Sequence, residues 1–268
     1  MTTPNASDWN PEQYRKFSAE RAQPFHDLCA LIGDRPVATA VDLGCGPGEL
    51  TRAAADELGC ISMLGIDNSA TMLAKAAEHA GSAVTFEHGD IGMWSPVEPV
   101  DLVLASASLH WVPDHEHVLR RWRAGLRPGG QLAVQVPANA YMPSHRVADE
   151  LARTEPFLSE FGPEGPPSDP VADNVLEPEV YATILHELGF ADQHVRLQIY
   201  PHLLARTSAV VDWVRGTTLT RFQKRLEPSV FAAFVDEYER RLIATVGDHE
   251  PYFFPFRRIL MWARLPPA

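Results

Sequence analysis

Short runs of β-branched and apolar residues alternate with stretches of helical periodicity over residues 38–137. This alternation is typical of βαβ units and predicts a mainly parallel sheet with helices on both faces. The predicted strands are Ala38–Gly44, Ile61–Asp67, Ala83–Asp90, Val100–Ser106 and Gln131–Pro137. The predicted helices are Glu49–Leu58, Ser69–His79 and Asp114–Leu126.

The pattern changes after this region. Residues 138–176 are rich in proline and glycine, which favours an irregular excursion over regular structure. The elements predicted beyond it are a helix at Glu179–Leu188, a strand at Gln193–Leu203, a helical stretch over 207–246 and an edge strand at Phe256–Leu265. We expect the two excursions from the sheet to form a cap over one of its faces.

Charge excludes several classes of protein. The 268 residues include 23 Lys+Arg and 35 Asp+Glu, which gives a net charge of −12. Such a surface repels phosphate backbones and anionic lipid, so we expect neither a nucleic-acid nor a membrane partner. The chain has no window of about 18 apolar residues and no signal-peptide pattern, which predicts a cytoplasmic protein.

Cysteine and histidine usage gives no indication of a metal. Cys29, Cys45 and Cys60 are an odd number without metal-ligand spacing, so we interpret them as reduced thiols. His110 and His115 share no helical face with a carboxylate that would suggest zinc. We therefore predict no metal site.

A glycine-rich turn is the most informative local feature. Gly44, Gly46 and Gly48 follow a predicted strand and precede a predicted helix, where positive φ and free N–H groups suit a bound ligand. A plain tight turn, a dinucleotide site and an S-adenosylmethionine (SAM) site all remain open. The spacing G-x-G-x-G differs from the dinucleotide pattern G-x-G-x-x-G. Asp42, before the turn, favours a sulfonium and an amino-acid moiety over a pyrophosphate.

Four segments together carry a resemblance to a family. They are DLGCGPG at 42–48, GID at 65–67, HGDI at 88–91 and LRPGGQLAVQVP at 126–137. In this order and spacing they resemble the motifs of class I SAM-dependent methyltransferases. The resemblance implies a Rossmann-like α/β fold, with a doubly wound, mainly parallel, seven-stranded sheet and a helical cap, and SAM as the cofactor.

The resemblance also implies cofactor contacts. Asp67 would accept both ribose hydroxyls, as two carboxylate oxygens can. The other implied contacts are Asp42, Gly44, Gly46 and Gly48 at the methionine end, Asn68, Met72, Asp90 and Ile91 at the adenine, and Ser106 and Ser108 at the transfer site. An aromatic N-terminal segment that contains Tyr14, followed by Arg21, is expected to close over SAM as a lid.

A closer resemblance extends over nearly the whole chain. SDWNP at 7–11, ASLHWVPDH at 107–115 and VQVP at 134–137 are similar to segments of the trans-aconitate 2-methyltransferases. Two features depart from that family: His110 replaces the usual Gln, and the Pro/Gly excursion at 153–173 is longer. The resemblance implies methylation of a carboxylate on a small polycarboxylic acid, with trans-aconitate giving its monomethyl ester. Since an ionised oxygen needs no deprotonation, we assign no catalytic base.

An anionic acceptor entering an acidic protein requires local cations or hydrogen-bond donors. Arg257 and Arg258 lie among aromatic residues before the last predicted strand, and His110 precedes Trp111 after the fourth. We predict these four as acceptor contacts, with His145 as a further candidate. At this point a surface position fits the arginines equally well, and a purely structural role fits the histidines.

The predicted organisation has six segments. They are a lid at 1–30, a SAM-binding core at 31–137, a cap excursion at 138–176, a core helix and strand at 177–203, a helical cap at 204–254 and a closing strand at 255–268. The alternatives are methylation of another polycarboxylate, a carrier-bound malonyl group or an isoprenoid acid, a SAM-binding protein without catalysis, and a nicotinamide-dependent oxidoreductase. The oligomeric state is left open.

Overall fold

The computed structural model describes residues 18–33 and 36–268, with side chains from Ala22 onwards. Its strands form one seven-stranded sheet in the order β3-β2-β1-β4-β5-β7-β6. The strands are β1 Thr39–Leu43, β2 Ser62–Asp67, β3 Val84–His88, β4 Val100–Ser106, β5 Leu126–Pro137, β6 Asp192–Leu204 and β7 Tyr252–Arg264. Strand β7 is antiparallel to both of its neighbours, and the first five strands pair in parallel. The predicted doubly wound α/β class is confirmed.

Helices connect and cover these strands. They are α1 Ser18–Cys29, α2 Glu49–Leu58, α3 Ala70–Ala76, α4 His115–Ala124, α5 Pro143–Ala152, α6 Phe157–Glu160, α7 Pro170–Asn174, α8 Pro178–Glu187, α9 Ala209–Arg215, α10 Thr220–Gln223 and α11 Pro228–Val246. Short 3-10 helices span Ala77–His79, Leu109–Trp111 and Gly162–Glu164. Among the helices so described, none is long and apolar enough to cross a membrane.

The first half of the chain agrees closely with the predicted elements. Strand β4 and helix α2 have the predicted bounds, and the other early elements differ by at most a few residues. Ser69 caps α3, because its side-chain oxygen accepts the Met72 backbone N–H. Strand β5 begins at Leu126, earlier than predicted, and its register against β4 shifts through an irregularity after Val100.

The prediction of an irregular excursion over 138–176 was wrong in part, because this segment contains α5, α6 and α7. Pro143 and Pro170 lie in the first turn of α5 and α7. A proline there removes an N–H that has no intrahelical acceptor, and its fixed φ suits the helix. These prolines therefore begin helices.

The prediction of a C-terminal edge strand was also wrong. Strand β7 lies between β5 and β6, and it pairs with β6 from Asp192↔Arg264 to Leu204↔Tyr252. Its successive residues Ile259, Leu260 and Met261 are all buried. A strand that is apolar on both faces is covered on both faces, which an interior position provides. Strand β6 is the edge.

The sheet separates two hydrophobic clusters. On one face, Leu104, Ala133 and Leu260 pack in the same cluster as Phe25 of α1 and Phe234 of α11. We call α5, α6 and α9–α11 the cap, because their buried apolar side chains belong to this cluster. The opposite cluster includes side chains of β4, β5, α4 and α8. The cap therefore shares its core with one face of the sheet.

Candidate active site

The glycine turn after β1 lies at the carboxyl end of the sheet. Gly44, Gly46 and Gly48 have φ values of 87°, 56° and 82°, which favour glycine. A Cβ at Gly44 would lie 2.2 Å from the Cβ of Ser108, whereas one at Gly46 would meet nothing within 4 Å. Ser108 also donates its hydroxyl to the Leu43 carbonyl. The turn is thus closed on the protein side at Gly44 and open at Gly46, which fits a ligand lying against its backbone.

Asp67 at the end of β2 links this turn to the next helix. Its Oδ2 accepts the Gly46 backbone N–H at 2.9 Å, and its Oδ1 accepts that of Ser69 at 2.8 Å. Each carboxylate oxygen can accept a second hydrogen bond. Asp67 therefore retains the capacity to accept a diol while it holds the turn in place.

Asp42 lies beneath the turn, and its side chain is buried. It is 3% exposed, and its Oδ2 accepts the Thr51 hydroxyl of α2 at 2.6 Å. Burial raises the pKa of this carboxyl to about 7, the Thr51 hydrogen bond opposes the rise, and the charge of Asp67 adds to it. Asp42 is thus a buried acid whose ionisation changes near neutral pH.

The residues predicted at the adenine follow β2 and β3 on the same edge of the sheet. Asn68 and Asp90 are exposed, and Met72 and Ile91 are half-buried. Asp90 turns one oxygen back to the Gly92 backbone N–H at 2.8 Å. Since Asp67 pairs with His88 in neighbouring parallel strands, the segments after these strands emerge side by side. Their contacts with a cofactor stay predictions.

The loop after β4 carries a buried histidine. His110 is 7% exposed, and its Nδ1 has no hydrogen-bond partner among the described residues. Burial lowers its pKa to about 3, and the charges of Arg258 and His115 lower it further. The Trp111 ring lies 4.8 Å from the His110 ring and is half exposed. A neutral imidazole with an unsatisfied nitrogen is a suitable hydrogen-bond partner for a ligand.

A buried hydrogen-bond relay, from Tyr181 through His115 to Leu109, supports the loop after β4. The Tyr181 hydroxyl accepts the Leu176 backbone N–H at 3.2 Å and donates to His115 Nδ1 at 2.6 Å. His115 Nε2 then donates to the Leu109 carbonyl at 3.0 Å. Burial lowers the pKa of His115 to about 4, which keeps the ring in the neutral form that this relay requires. Asn174 also donates to the carbonyl of His110, at 2.9 Å.

The two predicted arginines of β7 have different surroundings. Arg258 is 9% exposed, and its Nη1 donates to Gln135 Oε1 at 2.9 Å. The Arg257 guanidinium carbon lies 4.5 Å from the centre of the Tyr141 ring. Adjacent residues in a strand face opposite sides of the sheet. Arg258 shares the cap-facing side with Leu260, and it is the arginine whose charge reaches His110.

The chain is similar in sequence to known methyltransferases. Residues 40–130 match the family described as "Methyltransferase domain". A trans-aconitate 2-methyltransferase of Deinococcus radiodurans is 40% identical over 259 residues, which cover 96% of this chain and 98% of the relative. The chain belongs to the trans-aconitate 2-methyltransferase family. A relative of the same name from Mycobacterium tuberculosis is 36% identical over 265 residues, 96% of this chain and 97% of its own length.

Solved structures support the fold of this family member. Phosphoethanolamine N-methyltransferase 2 of Haemonchus contortus, in complex with SAM, aligns with a TM-score of 0.55 at 18% identity, over 91% of this chain and 52% of that one. A SAM-dependent methyltransferase of Mesorhizobium loti aligns with a TM-score of 0.52 at 20% identity, over 91% of this chain and 97% of that one. The fold is therefore the Rossmann-like fold of class I methyltransferases, as the motifs predicted.

For this trans-aconitate 2-methyltransferase family member, three predicted site residues remain: Tyr14, Arg21 and His145. Tyr14 lies outside the described residues, and Arg21 lies in α1 where only the backbone is described. His145 is buried inside the cap, with Nε2 at 2.8 Å from the Thr218 hydroxyl and Nδ1 at 3.1 Å from that of Ser144. With both nitrogens engaged, its predicted contact with the acceptor has no geometric support.

Sequence reasoning missed several residues that organise the site. Tyr181 and Asn174 contact residues 66 and 64 positions away in the chain, and no local pattern indicates such pairs. Gln135 could have been found, because it shares a face of β5 with the buried Ala133, where a polar side chain requires a hydrogen-bond partner.

Proposed function

We propose that this protein transfers the methyl group of SAM to a carboxylate oxygen of trans-aconitate and forms its monomethyl ester. One observation carries the proposal: Arg258 pairs with Pro137 at the carboxyl end of β5, and its charge acts on the neutral His110 in the loop after β4, whose Nδ1 has no hydrogen-bond partner among the described residues. A buried cation beside a buried hydrogen-bonding group suits a polycarboxylate. The family relatives carry this activity in their names.

The residues around the turn fit SAM. The open backbone at Gly46 and the free N–H groups at the start of α2 suit the cofactor's carboxylate. Asp67 supplies acceptors for the ribose hydroxyls, and Asp42 supplies negative potential beneath the turn when it is ionised. When bound, SAM supplies an electrophilic methyl sulfonium.

The acceptor needs positioning more than it needs activation. A carboxylate is already ionised at neutral pH, so no residue has to remove a proton from it. Arg258 would hold an unreacting carboxylate, and His110 would donate an N–H to the acceptor without adding charge. The attacking oxygen is then left without a cation, which keeps it nucleophilic, and the reaction depends on in-line placement and exclusion of water.

A lid formed by the N-terminal segment is part of the proposal. The carboxyl-terminal end of α1 lies near the amino end of β4, because the Gly33 N–H that follows it donates to Gln131, which pairs with Leu102. Asp27, earlier in α1, accepts the Tyr200 hydroxyl nearer the other end of the sheet. Helix α1 therefore begins on the side of the glycine turn.

The test is a panel of acids incubated with SAM labelled on its methyl group. The panel contains trans-aconitate, cis-aconitate, citrate, a malonyl thioester and an isoprenoid acid, and the esters are identified by mass spectrometry. We expect trans-aconitate to give the highest kcat/KM. Methylation of another acid without methylation of trans-aconitate would contradict the specific claim. Binding of S-adenosylhomocysteine without turnover of any acid would favour a SAM-binding protein without catalysis.

A further inference from the structure

A row of polar side chains crosses the cap-facing side of the sheet near its carboxyl end. Ser106 of β4, Gln135 of β5 and Arg258 of β7 come from three neighbouring strands. Gln135 Nε2 donates to the Ser106 hydroxyl at 2.9 Å, and Arg258 Nη1 donates to Gln135 Oε1 at 2.9 Å. Gln135 is 1% exposed. Buried polar groups of this kind persist when they are paired with one another.

The Arg258 guanidinium determines which way the Gln135 amide faces. In the observed orientation the amide oxygen accepts from Arg258 while the amide nitrogen donates to Ser106. The flipped amide would place an NH₂ group against a guanidinium, and both groups can only donate. The order of the row is therefore fixed, and one guanidinium nitrogen is held at a defined position on the sheet.

The amide also adds no negative charge to this position. A carboxylate at residue 135 would form a buried ion pair with Arg258 and offset its positive charge. The charge of Arg258 reaches the transfer loop, since it lowers the pKa of His110. An acceptor carboxylate arriving there meets a guanidinium that is oriented by a neutral partner.

We propose that Gln135 is a positioning residue that orients Arg258 for an unreacting carboxylate of the acceptor and thereby selects polycarboxylic acids over monocarboxylic ones. This inference rests on the proposed function. Only an acid with a second ionised group gains from the oriented guanidinium, so the effect belongs to acceptor binding. Gly46, in the turn after β1, and Asp67, at the end of β2, are the proposed SAM contacts and are left unchanged.

The test compares Gln135→Glu with Gln135→Met. Glutamate keeps the shape and adds the charge, whereas methionine keeps the length and removes the hydrogen bonds without adding charge. We expect Gln135→Glu to raise the KM for trans-aconitate at least about tenfold at pH 8, with a smaller change in kcat. Gln135→Met should raise KM by about threefold. The Kd of S-adenosylhomocysteine, measured by calorimetry, should change less than about twofold in both variants.

A pH profile separates positioning from a structural role. Protonation of the new glutamate makes it a neutral group of similar shape, so the KM of Gln135→Glu should approach that of the wild type as pH falls. The KM ratio of Gln135→Met to wild type should stay constant with pH. Gln135→Met supplies the test if Gln135→Glu does not fold. It leaves the guanidinium without the amide oxygen, and we expect it to raise the KM for trans-aconitate with unchanged cofactor binding.

Two kinds of result would overturn the inference. Equal KM values for Gln135→Glu, Gln135→Met and the wild type would show that Gln135 does not orient the acceptor site. Equal loss of cofactor and acceptor binding in Gln135→Glu and Gln135→Met would show a structural role only. If the wild type binds S-adenosylhomocysteine but methylates no acid, the proposed function fails and this inference fails with it. If the wild type methylates trans-aconitate and the variants have the same KM as the wild type, this inference is overturned and the proposed function stands.

Discussion

Asp42→Asn should make the stability of the protein less dependent on pH. The Asp42 carboxyl is buried beneath the glycine turn, where its Oδ2 accepts the Thr51 hydroxyl. Asparagine keeps an oxygen that can accept from Thr51, but it cannot ionise. The substitution therefore removes the cost of burying a carboxylate and keeps the packing and the hydrogen bond.

The magnitude follows from the pKa. The pKa of Asp42 rises from 3.8 in the unfolded chain to about 7 in the folded protein. The folded state therefore binds this proton more tightly than the unfolded state, and stability falls as pH rises between these two values. At about 1.4 kcal/mol per pKa unit, the ionised carboxyl lowers the stability of the wild type by about 4 kcal/mol above pH 7. This loss of stability is absent from the wild type below pH 4.

The assay is urea unfolding followed by far-UV circular dichroism between pH 4.5 and 8 without SAM. The advantage of Asp42→Asn over the wild type should grow with pH and level off above pH 7. Asp56→Asn, which removes an exposed carboxylate from α2, is the control and should change stability by less than about 1 kcal/mol. If the stability difference between Asp42→Asn and the wild type is constant with pH, or grows toward acid, burial does not raise the pKa of Asp42.

Three further predictions concern the site. Asp67→Ala should weaken S-adenosylhomocysteine binding by about 1–3 kcal/mol, because a charge-assisted contact is lost; unchanged calorimetric affinity would show that the ribose assignment is wrong. Arg258→Met should raise the acceptor KM at least about tenfold and spare cofactor binding, whereas Arg257→Met should have a much smaller effect on KM; the reverse order would exchange their roles. Tyr181→Phe removes the donor to His115 and should lower kcat/KM for the acceptor by about 5-fold, measured by initial rates, and an unchanged value would separate this relay from the transfer loop.

Much of the fold could be predicted because it depends on local patterns. The βαβ half of the chain has strands, turns and helices whose periodicity and caps are visible within ten residues, and β4 and α2 were predicted with their observed bounds. The prediction for 138–176 was wrong in part, because its high content of proline and glycine favours irregular structure, whereas Pro143 and Pro170 begin helices. The interior position of β7 depends on pairing with two strands that are distant in sequence.

The site residues likewise divide into those that a local pattern indicates and those that depend on contacts between distant segments. The positions of the glycine turn and of Asp67 could be predicted, because each belongs to a short continuous motif that adjoins the end of a strand. The separation of Arg257 from Arg258 follows from the alternation of β7, once the strand is known to begin at Tyr252. The relay from Tyr181 to His115 could not be predicted, because it joins residues 66 positions apart through one buried hydroxyl.

The central claim is that this family member esterifies a carboxylate of trans-aconitate with the methyl group of SAM at the site of His110 and Arg258. The most direct measurement is the initial rate of label transfer from SAM to trans-aconitate by the wild type and by Arg258→Met, with the product identified by mass spectrometry. We expect a monomethyl ester from the wild type and a lower kcat/KM for the variant, with cofactor binding intact. No ester from the wild type, or equal kcat/KM in both proteins, would contradict the central claim.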